Sequence, residues 1–150
     1  MLKLSKKVDY GLVVLAALCR SPKPASAREL AENYHLPSPM VAGVLKQLAA
    51  GGVLTSTRGA QGGYKLARDP RRINLADIVE ALEGAFSLVE CIDETCAHQA
   101  HCPTQDPLQV VQQKFMSFMT GLSLAEIMAH AQGVWSPDFE LGAENSAKQV

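Results

Sequence analysis

Aromatic side chains are scarce, at 5% of 150 residues with a single Trp, so any core must be built from aliphatic side chains. Long apolar runs are missing too. Gly11 to Cys19 is nine residues, far short of the ~20 that a membrane span needs. The same run resembles a lipoprotein signal only superficially, because Leu18 stands where a small residue should precede the cysteine and Asp9 heads the apolar stretch. A cytoplasmic protein with reduced thiols and no membrane partner is expected. There is no Ser/His/Asp order, no phosphate loop and no H-E-x-x-H, so neither an enzyme nor a small-molecule substrate is expected. No internal repeat is present. Basic residues are nearly absent from the second half: residues 73–150 hold 2 Lys+Arg against 11 Asp+Glu, while residues 1–72 hold 12 against 4. The net charge of −1 hides this split. A basic first half suits a polyanion such as nucleic acid, with the acidic half turned away; solvated surfaces that segregated by chance are the alternative.

What is present reads first as helices. Ser5 can cap a helix over about 6–20, with Val8, Leu12, Leu15, Ala16 and Cys19 on one apolar stripe. Cys19 is read as core. Asp9 falls in the first turn, where the helix dipole favours a carboxylate. Ser26 and Glu29 make a capping box for a short helix over 28–34. After the turn HLPSP, Ser38 is expected to cap a helix with Pro39 at its first position, burying Val41, Val44, Leu45 and Leu48. Two short helices joined by a tight turn form either a helix-turn-helix or a plain helical hairpin. In the first case Ser38, Pro39, Met40, Gly43 and Lys46 lie off the buried stripe and face DNA.

A basic β-hairpin follows, with strands over 53–58 and 64–68 around GAQGG. Directly after a helix-turn-helix, such a hairpin reads as a wing. Arg58, Lys65 and Arg68 can meet phosphates, and Gln61, Gly62, Gly63 and Tyr64 offer backbone and side-chain contacts; the glycines could equally serve only the turn. Asn74 caps a helix over 75–83 that ends at Gly84.

The stretch Glu90–Pro107 holds three of the four cysteines: Cys91, Cys96 and Cys102. Thiolates in a short polar loop suit a soft metal or an iron–sulfur cluster. A redox disulfide or inert thiols are the alternatives. The spacing is unlike the paired C-x-x-C of zinc sites. Three sulfurs leave one ligand position unassigned. Asp106–Pro107 then opens a long helix in which Leu108, Val111, Phe115, Phe118 and Leu122 recur at three and four, a seam for a second copy of the chain or for intramolecular packing. Ser123 and Glu126 cap a last helix to about His130, and a mostly disordered tail is expected over 131–150.

LSKKVDYGLVVLAAL, the block ARELAENYHLPSPMVAGVLKQLAAGGVLTSTRGAQGGYKLAR, INLADIVEALEG and the three-cysteine loop, taken in this order, resemble the Rrf2 family of bacterial winged-helix regulators. The opening is most similar to the branch that regulates the SUF cluster-assembly system. The resemblance covers about residues 1–130. It implies a mainly α fold with a small β-hairpin wing: a winged helix-turn-helix over 1–72, then a linker helix, cysteine loop and dimerisation helix over 73–130. It implies a homodimer on double-stranded DNA and an iron–sulfur cluster, 2Fe–2S favoured over 4Fe–4S, on Cys91, Cys96 and Cys102. In IscR-like members a His three residues after the last Cys is the fourth ligand; here that position is Gln105. In NsrR-like members it is an Asp near the start of the first helix of the other subunit, which Asp9 matches. Asp9 is therefore expected ahead of His101 or His98. The implied function is regulation of transcription by cluster state. The rival readings are a metal-free or zinc-bound thiol switch on DNA, and an iron–sulfur electron carrier.

Overall fold

A computed structural model describes residues 3–88 and 101–129. Six helices and one hairpin run in the order α1 (Lys6–Cys19), α2 (Ala27–Asn33), α3 (Ser38–Ala50), β1 (Leu54–Thr57), β2 (Gly63–Leu66), α4 (Leu75–Glu83), α5 (Gln105–Gly121) and α6 (Leu124–Ala129). The mainly helical fold with a two-stranded wing is the one expected.

Local chemistry sets most of the boundaries. Ser5 accepts from Val8 N–H at 3.3 Å and starts α1. Both bonds of the Ser26/Glu29 box form at the start of α2. Asn74 and Asp77 form a second box on α4. Ser123 and Glu126 exchange the same pair of bonds before α6. Each satisfies donors that a helix start leaves without partners.

Two helix caps differ from expectation, and α2 begins one residue early at Ala27. Pro37, not Ser38, takes the cap position of α3, and Ser38 and Pro39 are its first two helical residues. The Pro37 carbonyl already accepts from Met40 and Val41 N–H at 3.0 and 3.1 Å, so no side-chain cap is needed. The long helix begins at Gln105, with Thr104 in the cap position and no side-chain cap bond, so Pro107 falls third. A 3-10 turn at Pro70–Arg72, capped by Asp69, was not expected.

The core is aliphatic, as the scarcity of aromatics requires. Val14, Leu15, Val41, Leu45, Leu48, Ile73, Ile78 and Leu124 are fully buried, and no charged or polar residue is buried among the described residues. The buried face of α1 is broader than the expected stripe, because Gly11, Val14 and Leu18 join Val8, Leu15 and Ala16 while Leu12 and Cys19 sit at its edge. Gly11 is there for proximity: a Cβ would lie 2.6 Å from Leu82 Cδ1 on α4. Residues on both sides of position 72 share this core.

The hairpin is antiparallel, in register Leu54 with Leu66 through Thr57 with Gly63. It is fastened to the helices at two places. Val53 N–H donates to Leu48 O at 2.9 Å at the end of α3. Ala25 and Tyr64 exchange both backbone hydrogen bonds, at 3.0 and 2.8 Å, adding a one-residue third strand. Gly63 makes that approach possible. Its φ is +147°, and a Cβ would stand 2.6 Å from the Ala25 backbone.

Gly63→Ala should therefore lower unfolding stability by roughly 2–4 kcal/mol, through strain at positive φ and overpacking against main chain that cannot rotate aside. The urea midpoint reads this directly; an unchanged midpoint would mean that the wing is not held against Ala25.

Candidate nucleic-acid interface and cysteine site

The buried stripe of α3 fixes what the helix shows to solvent. Val41, Val44, Leu45 and Leu48 point inward, which leaves Ser38, Pro39, Met40, Gly43 and Lys46 exposed together. All five α3 candidates thus lie on the outer side. On the wing, Arg58, Gln61 and Lys65 are exposed, while Gly62, Gly63 and Tyr64 are half-buried. Tyr64 N–H is spent on Ala25 O. A Cβ at Gly62 would meet Thr57 O at 2.3 Å. Both glycines thus have intramolecular reasons to be glycine.

The basic surface is smaller than the sequence count suggests. Arg68 Nη2 meets Asp77 Oδ2 at 2.7 Å, on the carboxylate that also closes the α4 capping box. Arg71 holds Asp69 through two side-chain bonds at 3.0 and 2.7 Å. Those bonds, with the Arg71 backbone N–H, pull the Asp69 carboxyl down to about 2. Arg58 and Lys65 make no ion pair among the described residues and remain the wing's open cations. This pairing was not legible in the sequence, where Arg68 and Asp77 belong to different elements.

Of the three loop cysteines, Cys102 is described; Cys91, Cys96 and His98 lie outside the described residues, as does the segment 131–150. Cys102 sits just before α5. Its Sγ is 3.3 Å from Thr104 Oγ1. The Thr104 hydroxyl, then the Thr104 and Gln105 backbone N–H groups, hold its thiol below the usual value. A thiol that ionises easily at a helix start has the chemistry of a metal ligand or a redox centre. Cys19 is the opposite case, since burial pushes its thiol up to about 11. It packs half-buried against the core, at the edge of the stripe on which it was expected.

Asp9 is exposed in the first turn of α1 and lines an open cavity of about 580 Å³ with Lys3, Leu4, Ser5, Lys6 and Leu12. Its carboxylate takes no ion pair from the described residues. His101 is exposed beside Cys102. Among the described residues no three of His, Cys, Asp and Glu converge on one point.

Gln112 was missed by sequence reasoning. Its amide donates to Phe86 O and accepts from Leu88 N–H, both at 2.9 Å, while the Phe86 and Phe115 rings stack at 5.0 Å. The strand of chain that leads toward Cys91 is thereby clamped to α5. The available signal was a polar residue between Leu108 and Phe115 on an apolar stripe. That stripe is mostly open: Val111 and Phe118 are 50% and 59% exposed, and Met119 alone on α5 is buried.

The two described thiols should separate chemically. At neutral pH, a thiol raised from 9.0 to about 11 carries about one-hundredth of the thiolate of an unshifted one. In the metal-free, reduced protein, iodoacetamide should modify Cys102 at least about a hundredfold faster than Cys19. Thr104→Val should slow Cys102 by raising its pKa. Peptide mass spectrometry over time measures both rates; equal rates would contradict the thiolate assignment.

The mainly helical fold with a two-stranded wing agrees with known relatives. The Rrf2 family, described as an iron-dependent transcriptional regulator, matches residues 4–130. An HTH-type transcriptional regulator of Synechocystis is 29% identical over 133 residues, which is 87% of this chain and 90% of that protein. CymR, the global cysteine regulator of B. subtilis, superposes with a TM-score of 0.67 at 27% identity, over 86% of this chain and 98% of that one. T. potens IscR does so at 0.65 and 29%, over 87% and 89%. No helix among the described residues is long and apolar enough to cross a membrane. The family match sets aside both the enzyme and the electron-carrier readings: the chain belongs to the Rrf2 family of DNA-binding transcriptional regulators.

Proposed function

We propose that this regulator senses an iron–sulfur cluster held by Cys91, Cys96 and Cys102, and that cluster state sets its affinity for DNA. The observation that carries the reading is the ionisable Cys102 thiol at the head of α5, in a loop whose stem Gln112 clamps to the same helix. When bound, the cluster supplies a link among the three sulfurs that iron shortage or oxidants can remove. Asp9 completes the ligand set from the other subunit; an exposed carboxylate without an ion pair is free to reach across an interface. A carboxylate holds iron less tightly than a thiolate would, which suits a site that must release its cluster.

The same geometry supports a wider reading of the assembly. Residues 1–72 read DNA, with Ser38, Pro39, Met40, Gly43 and Lys46 of α3 at the major groove and Arg58, Gln61, Gly62, Gly63, Tyr64 and Lys65 forming the wing's contact surface. Residues 73–130 carry the sensing loop and dimerise through α5, whose exposed Val111 and Phe118 need cover. The cytoplasm is the compartment, and SUF genes are the target, on the resemblance of the opening segment. Coupling requires contacts that differ between two states. The Gln112 clamp and the Phe86–Phe115 stack make α5 feel any rearrangement of the loop stem.

Anaerobic purification, with iron and sulfide assayed, followed by titration of a SUF promoter fragment at fixed salt, tests the sensing step. Loaded and cluster-free protein should differ in affinity roughly 5- to 150-fold. Equal affinities would overturn it, and a colourless protein that resists reconstitution would favour the thiol switch. Asp9→Ala should shorten cluster lifetime in air while the circular dichroism spectrum stays unchanged; an unaltered lifetime removes Asp9 from the ligands.

Phe118→Glu should give a folded monomer by analytical ultracentrifugation, because the ring is exposed in the single chain but buried in a dimer. A persisting dimer would place the interface elsewhere.

A further inference from the structure

We infer that α3 selects thymine, through contact between Met40 and the thymine 5-methyl group, with Gly43 letting the helix approach closely. This rests on the reading that α3 enters the major groove and goes on to say what it reads there.

The side-chain inventory of α3 is unusual for a reading helix. It contains no Arg, Asn, Asp or Glu. The arginine pairing to guanine, the asparagine pairing to adenine and the carboxylate pairing to cytosine are therefore absent, which leaves Lys46 for guanine, Gln47 for adenine and Ser38 as its polar side chains, all but Ser38 in the second half of the helix. Against this stands Met40, one of the few large apolar side chains left open, at 37% exposure, while its neighbour Val41 is fully buried. Methionine has no donor and only a weak acceptor. It gains little from phosphate or from a polar base edge. The apolar group that the major groove presents is the thymine methyl. An unbranched, adaptable thioether suits contact with it.

Gly43 supplies the second observation. Glycine weakens a helix interior, yet beyond the backbone of α3 itself no described atom crowds the Cβ position at Gly43 within 4 Å. This contrasts with Gly11 and Gly63, and among the described residues it leaves the space beside Gly43 open to a partner outside the chain. Met40, Gly43 and Gln47 follow one another at three and four along a single edge of α3, so the gap that Gly43 leaves lies beside the Met40 side chain.

The test begins with operators selected from random-sequence DNA by the full-length protein. Each thymine is then replaced singly by deoxyuridine, which removes only the methyl, and affinity is measured at fixed salt. One thymine per half-site should prove sensitive, with about a fourfold loss on replacement. Met40→Ala should abolish that difference, and Met40→Leu should keep most of it. A uracil penalty that is absent, or equal in the wild type and Met40→Ala, overturns the thymine assignment. Gly43→Leu separates the two levels of the argument. It should cost at least about tenfold in affinity for every sequence while the folded protein stays as stable, since the site is open and leucine favours helix. Unchanged affinity in Gly43→Leu would sink the placement of α3 in the groove itself.

Discussion

Burial of one face of α1 is the constraint on which the remaining geometry depends. Val8, Gly11, Val14, Leu15 and Leu18 are turned inward. Successive helical residues are rotated by about 100°, so burying Val8 turns Asp9 out to solvent. The same face carries Gly11, whose missing side chain lets Leu82 of α4 come close. One helix thus seats the linker helix and fixes the direction of a candidate ligand. Lys7 Nζ adds a bond to Leu82 O at 3.0 Å, and Ser5 Oγ donates to Glu83 Oε1 at 2.5 Å, so the start of α1 is tied to the end of α4. The proposed sensing loop departs from that end of α4. A disturbance there meets α1 on one side and, through Gln112, α5 on the other.

That arrangement explains why the loop stem is polar in its bonding but apolar in its packing. Gln112 fixes the backbone of Phe86 and Leu88 with directional hydrogen bonds, and the Phe86–Phe115 stack fills the space beside them. Hydrogen bonds specify register, whereas ring stacking alone would allow sliding. A stem held in one register on α5 can transmit a change of loop conformation as a displacement of the helix. A stem held by apolar contact alone would absorb it.

Legibility in the sequence followed the range of the interaction. The Ser26/Glu29 and Ser123/Glu126 boxes pair residues three apart and close where expected, and the expected Asn74 cap is extended to a full box by Asp77. The α3 stripe was equally plain, because periodicity within one helix decides it. The start of α3 was misplaced by one residue: Ser38 is a good cap by type, but the Pro37 carbonyl already holds the first turn. The state of the basic residues was not legible. Whether Arg68 faces phosphate or Asp77 depends on how the wing sits beside α4, which no local pattern encodes. The double use of Gly63 was hidden for the same reason, since its partner Ala25 lies before α2. Of the candidate ligands, Cys102 and Asp9 could be followed into the fold, while Cys91 and Cys96 lie outside the described residues.

The neutralised arginines bear on the proposed dimer. With Arg68 and Arg71 held by carboxylates, each wing offers Arg58 and Lys65 as its open cations, and α3 adds Lys46. Phosphate contacts supply most of the affinity for any DNA, and each adds a released counterion. Three per chain would give only a weak complex. Two chains joined through α5 double that number and make the second half-site an intramolecular event, with a gain set by how well the two α3 helices match the groove spacing. Affinity then depends on the angle between the two winged domains more than on any single contact. In the proposed dimer, a helix that both joins the chains and clamps the loop stem is well placed to change that angle, and small rotations there need no rearrangement of the aliphatic core.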